Sequence, residues 1–291
     1  MLRVKKNSLI LQEQSYYFEG EPFAGIAYAL RDGVIQEVSE FRNGKAIGEF
    51  RDDYLRDAKA LSRIDESELE GEISEGEEPF LYRQQRFHGI AYLFDGDFCV
   101  GEAWYDNGYA LKDVGWYKSG KLGFYESHVG GITEYSTWYG SGARKSIKLV
   151  EQSSFRLEAD LTEEEKVSSI SIYGNYFDSY PAFKSKIAFP FLEQKSEIKH
   201  YNLAERLFLS SDGIDDQLFE YLVSADGFHG VSTIHVYNTS LTSKSIARLI
   251  GKGNIKKLII QDNQHDLSRA AREFKASYPD CYVEFNRKKL D

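Results

Sequence analysis

The sequence predicts an α+β protein in which an antiparallel β-meander of repeated hairpins is followed by a short α/β solenoid. Three observations support this prediction. All three tryptophans stand in one recurring phrase, a longer phrase returns 64 positions later, and strand-plus-helix units follow one another in the C-terminal half. Because hairpin repeats and strand-helix repeats are different architectures, we expect two domains, residues 1–152 and residues 153–291.

Each tryptophan is followed by a tyrosine and then by a turn sequence. The phrases are Trp104-Tyr105-Asp106-Asn107-Gly108, Trp116-Tyr117-Lys118-Ser119-Gly120 and Trp138-Tyr139-Gly140-Ser141-Gly142. Neighbouring side chains of a strand point to opposite faces, and Asn-Gly or Ser-Gly tolerates the positive φ of a tight hairpin. Each phrase therefore predicts a strand that ends in a hairpin, with one ring in the core and one exposed. The candidate anchors for a partner are Trp104, Trp116, Trp138 and Tyr139.

A second repeat is longer. The phrase Phe23-Ala24-Gly25-Ile26-Ala27-Tyr28 returns as Phe87-His88-Gly89-Ile90-Ala91-Tyr92, and the same offset carries Phe41-Arg42-Asn43-Gly44 onto Tyr105-Asp106-Asn107-Gly108. Two matches at a single offset indicate an internal duplication. Within each copy, short apolar runs alternate with Gly-containing turns, which is typical of a β-meander.

The stretch between the two copies is acidic, since residues 65–78 contain eight Asp or Glu and no Lys or Arg. Like charges at this density resist burial, so a solvated connection or a polar strand pair is the simplest interpretation. The alternative is a mimic of a phosphate backbone, in which Glu70 and Glu72 would enter the basic cleft of a nuclease. Asp95 and Asp97 are further candidate contacts, although carboxylates in turns commonly accept hydrogen bonds from backbone N–H groups.

From about residue 155, short apolar strands followed by helical segments replace the glycine-punctuated aromatic strands. Strands are predicted at 206–210, 233–238 and 257–263, each before a helix, and 279–285 is predicted as a closing strand. The spacing between these units is typical of a strand-plus-helix solenoid.

The solenoid strands predict a candidate protein-binding surface. Because side chains alternate along a strand, Phe208, His235, Tyr237 and Ile259 should lie in parallel rows on one sheet face. Partly exposed aromatic residues are enriched at the centres of protein interfaces. The alternative is that helices or the other domain cover this face.

The composition excludes several classes of protein. The formal net charge is −10, most of it in the N-terminal half, which disfavours nucleic acid as a partner and favours a cationic one. Ordinary solubility explains such a charge equally well.

No apolar run is long enough to span a bilayer and no apolar region follows the basic N-terminus, so we expect a cytoplasmic protein. Cys99 and Cys281 stand far apart and predict buried thiols.

The residues that most catalytic or metal sites require are not arranged in a known pattern. The six histidines lack metal-ligand spacing, and residues 140–145 lack the glycine spacing and the ending of a phosphate loop. We therefore predict no enzymatic activity, no cofactor and no metal site. A dispersed active site is the alternative, because catalytic partners need not be neighbours in the chain.

With these residues identified, the N-terminal half resembles the MORN-repeat family, in particular a bacterial variant found in antitoxins. The phrase from Pro22 to Tyr28 and the turns ending at Gly44 and Gly108 carry this resemblance. The C-terminal half resembles a short leucine-rich-repeat array, through the three strand units and the ending at residues 279–285. Neither family is enzymatic by itself.

The resemblance implies an immunity protein or antitoxin that neutralises a toxin by stoichiometric binding, the toxin being a basic, nuclease-like protein. The alternative is a MORN-type scaffold or membrane-surface adaptor. The acidic charge disfavours membrane binding, because anionic lipids attract basic patches.

Overall fold

The computed structural model describes residues 1–50, 61–71, 78–129, 132–151, 155–173, 203–224, 226–252, 254–262 and 267–291. Most of these residues lie in strands, and 18 strands belong to one large mixed sheet. Two small antiparallel sheets have two and three strands. The predicted α+β class is therefore wrong: the protein is mostly β, with few and short helices in the described chain.

The described strands, in chain order, are β1 Leu2–Lys5, β2 Ile10–Gln12, β3 Ser15–Phe18, β4 Glu21–Pro22, β5 Gly25–Arg31, β6 Val34–Arg42, β7 Lys45–Glu49, β8 Ser62–Asp65, β9 Leu81–Tyr82, β10 Gln85–Arg86, β11 Gly89–Asp95, β12 Phe98–Asp106, β13 Tyr109–Trp116, β14 Leu122–Val129, β15 Ile132–Trp138, β16 Arg144–Glu151, β17 Phe155–Leu161, β18 Val167–Tyr173, β19 Leu203–Ser210, β20 Thr233–Tyr237, β21 Lys257–Gln261, β22 Tyr282–Phe285 and β23 Lys288–Leu290. The α-helices of the described residues are α1 Asp216–Ser224, α2 Ser243–Arg248 and α3 Ser268–Ser277. Short 3-10 helices occupy Lys6–Ser8, Glu66–Glu68 and Asp226–Gly230.

The prediction of a separate α/β solenoid is wrong because strand pairing continues across the change of sequence pattern near residue 155. β17 pairs antiparallel with both β16 and β18, and β18 then pairs in parallel with β19. An edge strand presents unpaired N–H and C=O groups that a further strand can complete. The strands followed by helices therefore extend the large sheet.

The chain divides into two compact units. The N-terminal unit comprises Met1–Gly130 with Gly140–Gly142, and the C-terminal unit comprises Gly131–Tyr139 with Ala143–Asp291. Compactness alone does not show that a unit folds independently, so the predicted domain limits of 1–152 and 153–291 stay a prediction.

The two copies of the duplicated phrase occupy equivalent places in the N-terminal unit. β1 runs parallel to β5 with Val4 opposite Ala27, and β8 runs parallel to β11 with Ile64 opposite Ala91. Each copy continues as an antiparallel hairpin, β5 with β6 and β11 with β12. The acidic stretch thus begins within strand β8, a part of the sheet whose Ile64 is buried.

The copies also exchange equivalent contacts. The Lys5 N–H donates to the Asp97 carbonyl of the second copy over 2.7 Å, and the Asp65 N–H donates to the Gly33 carbonyl of the first over 2.8 Å. Between them, the buried rings of Tyr28 and Tyr92 have centroids 5.0 Å apart. The duplication therefore forms a pseudo-two-fold pair inside one chain.

Each copy contains a cluster of three aromatic rings with neighbouring centroids 5.2 to 5.5 Å apart. The rings are Tyr16, Phe23 and Phe41 in the first copy and Phe80, Phe87 and Tyr105 in the second. Edge-on aromatic contacts of this kind add stability beyond the area they bury. Tyr105 is therefore the core ring of the first Trp-Tyr phrase.

A glycine in each copy allows the parallel strands to approach closely. A Cβ atom on Gly25 would lie 2.5 Å from the carbonyl oxygen of Leu2, and one on Gly89 would overlap the carbonyl oxygen of Ser62. Because a backbone carbonyl cannot move aside without breaking the strand pairing, no side chain fits at either position. This explains the glycine that both phrases share.

The core of the N-terminal unit includes a buried polar contact. Arg3 Nη1 donates to the Tyr28 hydroxyl over 2.7 Å, and the guanidinium carbon lies 3.8 Å from the centroid of the Trp116 ring. Cys99 is buried nearby, and burial raises the pKa of its thiol to about 12. The prediction that Cys99 is buried is confirmed, and a thiol that stays protonated is a poor nucleophile.

In the C-terminal unit, β18 to β22 run parallel and the helices cover one face of them. The strand side chains on that face are apolar and buried: Leu207, Leu209, Ile234, Val236, Leu258, Ile260 and Val283. They pack with Phe219 of α1, Ile246 of α2 and Phe274 of α3. The opposite face of the same strands is the candidate functional site.

Candidate protein-binding surface

The strand side chains that point away from the helices form rows across β19 to β22. We call this surface the open face and define it as Arg206, Phe208, Thr233, His235, Tyr237, Lys257, Ile259, Gln261, Tyr282 and Glu284. The central row follows the register in which Phe208 lies opposite His235, His235 opposite Ile259, and Ile259 opposite Glu284. The predicted placement of Phe208, His235 and Ile259 in one row is confirmed, with Tyr237 in the adjacent row.

The aromatic residues of the open face are accessible. Phe208 is 40% exposed and Tyr237 is 44% exposed, while His235 and Ile259 are half-buried by their neighbours. The rings of Phe208 and His235 contact each other, with centroids 6.1 Å apart. Exposed apolar rings on a flat sheet are costly in water and are typical of surfaces that bind another protein.

Charged side chains flank the aromatic row. The next row consists of Arg206, Thr233, Lys257 and Tyr282, each of which lies opposite the next on the neighbouring strand. Lys257 Nζ is 5.1 Å from the centroid of the Tyr282 ring. The Tyr282 hydroxyl donates to Glu284 Oε2 over 2.7 Å. Burial, followed by the charges of Lys257 and Arg206, lowers the pKa of His235 against the opposing effect of Glu284. His235 is therefore a neutral ring at neutral pH.

The other anchors predicted in the C-terminal unit are held by contacts within the chain. The Tyr139 hydroxyl donates to the Leu161 carbonyl over 2.9 Å. The Trp138 ring centroid lies 5.2 Å from the guanidinium carbon of Arg144. Both Trp138 and Tyr139 are half-buried. They are not among the residues of the open face.

The anchors predicted in the N-terminal unit serve its core. Trp104 is half-buried, and its indole Nε1 is shielded from solvent without a hydrogen-bond partner among the described residues. Trp116 packs beneath Arg3 and against the core around Tyr28. In the Trp116 phrase the exposed ring is Tyr117. The geometry therefore favours structural roles for Trp104 and Trp116, and their binding roles stay a prediction.

The predicted acidic contacts lie in separate parts of the N-terminal unit. Asp95 is exposed and forms an ion pair with Lys118, with Oδ2 and Nζ 2.6 Å apart. Asp97 is exposed at a hairpin turn, and the exposed Glu70 forms two backbone hydrogen bonds with Leu81. Glu72 lies outside the described residues. Asp95 and Asp97 lie at the hairpin between β11 and β12, whereas Glu70 follows β8 and pairs with Leu81 of β9.

The sequence analysis missed the edge of the open face formed by β22 and β23. Glu284 continues the central row and lies opposite Lys289 of the final hairpin. The alternation of Tyr282, Val283 and Glu284 around one buried valine was the available signal.

A group of carboxyls in the N-terminal unit is not part of the open face. Asp113 lies directly opposite Glu126 on the neighbouring strand. Burial and the charges of Glu66 and Glu126 raise the pKa of Asp113 from 3.8 to about 6. Carboxylates placed together in this way destabilise the folded chain at neutral pH.

Substituting this carboxyl gives the first testable prediction. We expect Asp113→Asn to stabilise the protein by about 1 to 2 kcal/mol at neutral pH, a value discounted for the residue's partial exposure. Because the folded-state pKa is raised, the wild type loses stability as the pH rises from 3.8 to about 6, whereas the variant does not. Thermal unfolding at pH about 7.5 and about 3.5 measures the difference. Asp97→Asn is the matched control, and an equal gain in both variants would contradict the prediction.

Among the described residues, no group of three or more His, Cys, Asp or Glu is placed to hold a metal ion. The helices of the described chain are also too short or too polar for any of them to cross a membrane.

The comparisons with known proteins leave the family open. No protein-family model and no curated protein matches the sequence. Among solved structures, the chain is similar to the accessory secretory protein 1,2 and 3 of Streptococcus pneumoniae at 11% identity, with a TM-score of 0.18. The match covers 74% of this chain and 41% of that chain, so the chain spans about two fifths of that protein's length. Similarity this weak supports no argument, and the MORN and leucine-rich-repeat resemblances stay predictions.

Proposed function

We propose that this protein is a non-enzymatic immunity protein, or antitoxin, that neutralises a toxin by stoichiometric binding through the open face. The observation that carries the proposal is the exposure of Phe208 and Tyr237 on a sheet face that the helices leave free. A row of aromatic side chains on rigid strands supplies large contact area at a small cost in conformational entropy.

The strands that support this face are preorganised for binding. Behind Phe208 and Tyr237, the buried side chains of β19 to β21 pack against α1, α2 and α3. Binding to a surface that is already ordered avoids the entropy cost of folding on contact. A protein that acts only by occlusion needs such a surface and no reactive group.

The charge of the whole chain supports a cationic toxin. At −10, the protein attracts a basic partner over distances of about 10 Å at moderate salt and speeds its encounter. A nuclease-like toxin fits this requirement because nucleic-acid clefts are basic. The compartment in which such a toxin is neutralised is the cytoplasm, which we propose as the location of this protein.

The decisive experiment is genetic. The gene next to this one is expressed alone and together with this chain, and growth and co-purification are measured. We expect the neighbouring product to be toxic alone, harmless in the presence of this chain, and recovered with it in equimolar amounts. A neighbouring product that is harmless alone, or whose toxicity persists in the presence of this chain, would rule out the proposal.

The second testable prediction concerns the anchors. We expect Phe208→Ala and Tyr237→Ala each to weaken toxin binding about tenfold, because each removes an exposed ring from the centre of the contact. Tyr109→Ala is the matched control, since Tyr109 is a tyrosine of similar exposure in the N-terminal unit. Calorimetric titration measures the affinities. Equal losses in Tyr237→Ala and Tyr109→Ala would show that the open face is not the contact.

A further inference from the structure

We propose that the segment of the partner that docks on the open face is acidic and carries apolar side chains. This inference deepens the proposed function and rests on it for the role of the face. The juxtaposition that supports it is a cationic row beside an aromatic row on the same strands.

The row that flanks the aromatic side chains contains cations and no anion. Arg206 and Lys257 lie two strands apart, with Thr233 between them. Neighbouring strands are about 4.8 Å apart, so the backbones of Arg206 and Lys257 lie roughly 10 Å from each other. Among the described residues, neither has a carboxylate within ion-pair distance.

The carboxylate nearest these cations on the open face is already engaged. Glu284 accepts a hydrogen bond from the Tyr282 hydroxyl and lies opposite Lys289 on the last strand. Arg206 and Lys257 outnumber Glu284, so the open face as defined carries an excess of one positive charge. This local sign is opposite to that of the whole protein, whose net charge is −10.

The pKa of His235 reflects the same excess of positive charge. Besides burial, the charges of Lys257 and Arg206 lower its pKa, and Glu284 offsets them only in part. A neutral imidazole in the middle of the row leaves an apolar centre made by Phe208, His235 and Ile259. A complementary segment therefore has carboxylates at its edge and aromatic or aliphatic side chains at its centre.

A protein segment fits this surface better than a nucleic acid does. A phosphate backbone would have to approach a chain of net charge −10, and its charge would be repelled over the range at which salt does not screen it. A short acidic segment on a basic toxin contacts the cations without that penalty, because the overall charge of the toxin still attracts it. The net negative charge of this protein therefore attracts the basic toxin as a whole, whereas the positive charges of the open face attract the acidic segment of that toxin.

The experiment uses the full chain and a defined probe followed by anisotropy: a fluorescent copolymer with a short glutamate-tyrosine block joined to a longer lysine block, so that the copolymer is basic overall like the proposed toxin. We expect the wild type to bind the copolymer and to lose affinity with added salt. Arg206→Glu and Lys257→Glu should each weaken binding about tenfold. Arg272→Glu is the matched control, because Arg272 is exposed on α3, the helix that covers the opposite face. Circular dichroism confirms that each variant is folded.

Three outcomes of this binding assay would overturn the inference. These are no binding of the copolymer by the wild type, equal binding by Lys257→Glu and Arg272→Glu, or tighter binding of single-stranded poly(dT), which would identify a nucleic-acid surface. Self-association that Lys257→Glu abolishes would assign the face to a second copy and also overturn it. If the genetic test succeeds while the copolymer fails to bind, the proposed function stands and only the acidic segment is rejected.

Discussion

Gly89→Ala is expected to destabilise the N-terminal unit by about 3 kcal/mol. The added methyl group would overlap the carbonyl oxygen of Ser62 on the parallel strand β8 and would also contact the ring of Phe87. Because β8 pairs with β11 through four consecutive residues, separating the two strands breaks that ladder and exposes Ile64. Thermal unfolding followed by tryptophan fluorescence should show a midpoint lower by about 10 °C.

The matched control is Gly140→Ala. A Cβ atom at Gly140 meets no other atom within 4 Å, so this variant should unfold close to the wild type. If both variants unfold alike, the close approach of β8 to β11 does not explain the glycine of the repeated phrase.

The second large effect is expected from Asp216→Ala, at about 2 to 3 kcal/mol. Asp216, at the start of α1, accepts hydrogen bonds from the backbone N–H and hydroxyl of Thr242 and from the hydroxyl of Ser245. Its removal leaves the buried Ser245 hydroxyl without its acceptor and releases the N-terminus of α2. Chemical denaturation of the full chain measures the loss.

The pH dependence of this effect follows from the same contacts. Burial alone would raise the pKa of Asp216, but the hydrogen bonds from Ser245 and Thr242 outweigh burial and lower it. A lowered pKa means that the stabilisation is present above the ordinary value of 3.8 and is lost as the pH falls through the folded-state value. The difference between wild type and Asp216→Ala should therefore shrink in acid.

Glu220→Ala provides the control for Asp216→Ala. Glu220 joins the same two helices through an exposed ion pair with Arg248, with Oε1 and Nη2 3.0 Å apart. Exposed pairs contribute about 0.2 to 1 kcal/mol, so this variant should lose clearly less stability. A loss of stability as large as that of Asp216→Ala would mean that the hydrogen bonds of Asp216 contribute no more than an exposed ion pair between the same two helices.

Local patterns in the sequence predicted local structure well. The duplicated phrases at residues 23–28 and 87–92 indicated equivalent strands, and alternation along the strand predicted the row of Phe208, His235 and Ile259. Both predictions use the two-residue period of a strand, which is fixed by backbone geometry. They did not require knowledge of which strands pair.

The predictions that failed depended on pairing between distant segments. A change of pattern near residue 155 indicated a new architecture, yet β17 and β18 continue the antiparallel sheet before the parallel strands begin. The acidic stretch begins at Asp65, the last residue of β8, and residues 72–77 lie outside the described residues, so its interpretation as a solvated connection or a polar strand pair stays a prediction. Strand partners and direction are set by tertiary packing, which one short run of residues does not encode.

The reciprocal exchange between the two copies has the form of an isologous dimer interface within a single chain. In a symmetric homodimer every substitution appears twice, so a change at the dyad must suit both subunits. A single chain removes that constraint and raises the effective concentration of the two halves. Two pairs of equivalent positions differ in residue type: Ile35 corresponds to Cys99, and Val38 corresponds to Glu102. A substitution on one side of the pseudo-dyad of the N-terminal unit can therefore be made without changing the equivalent residue on the other side.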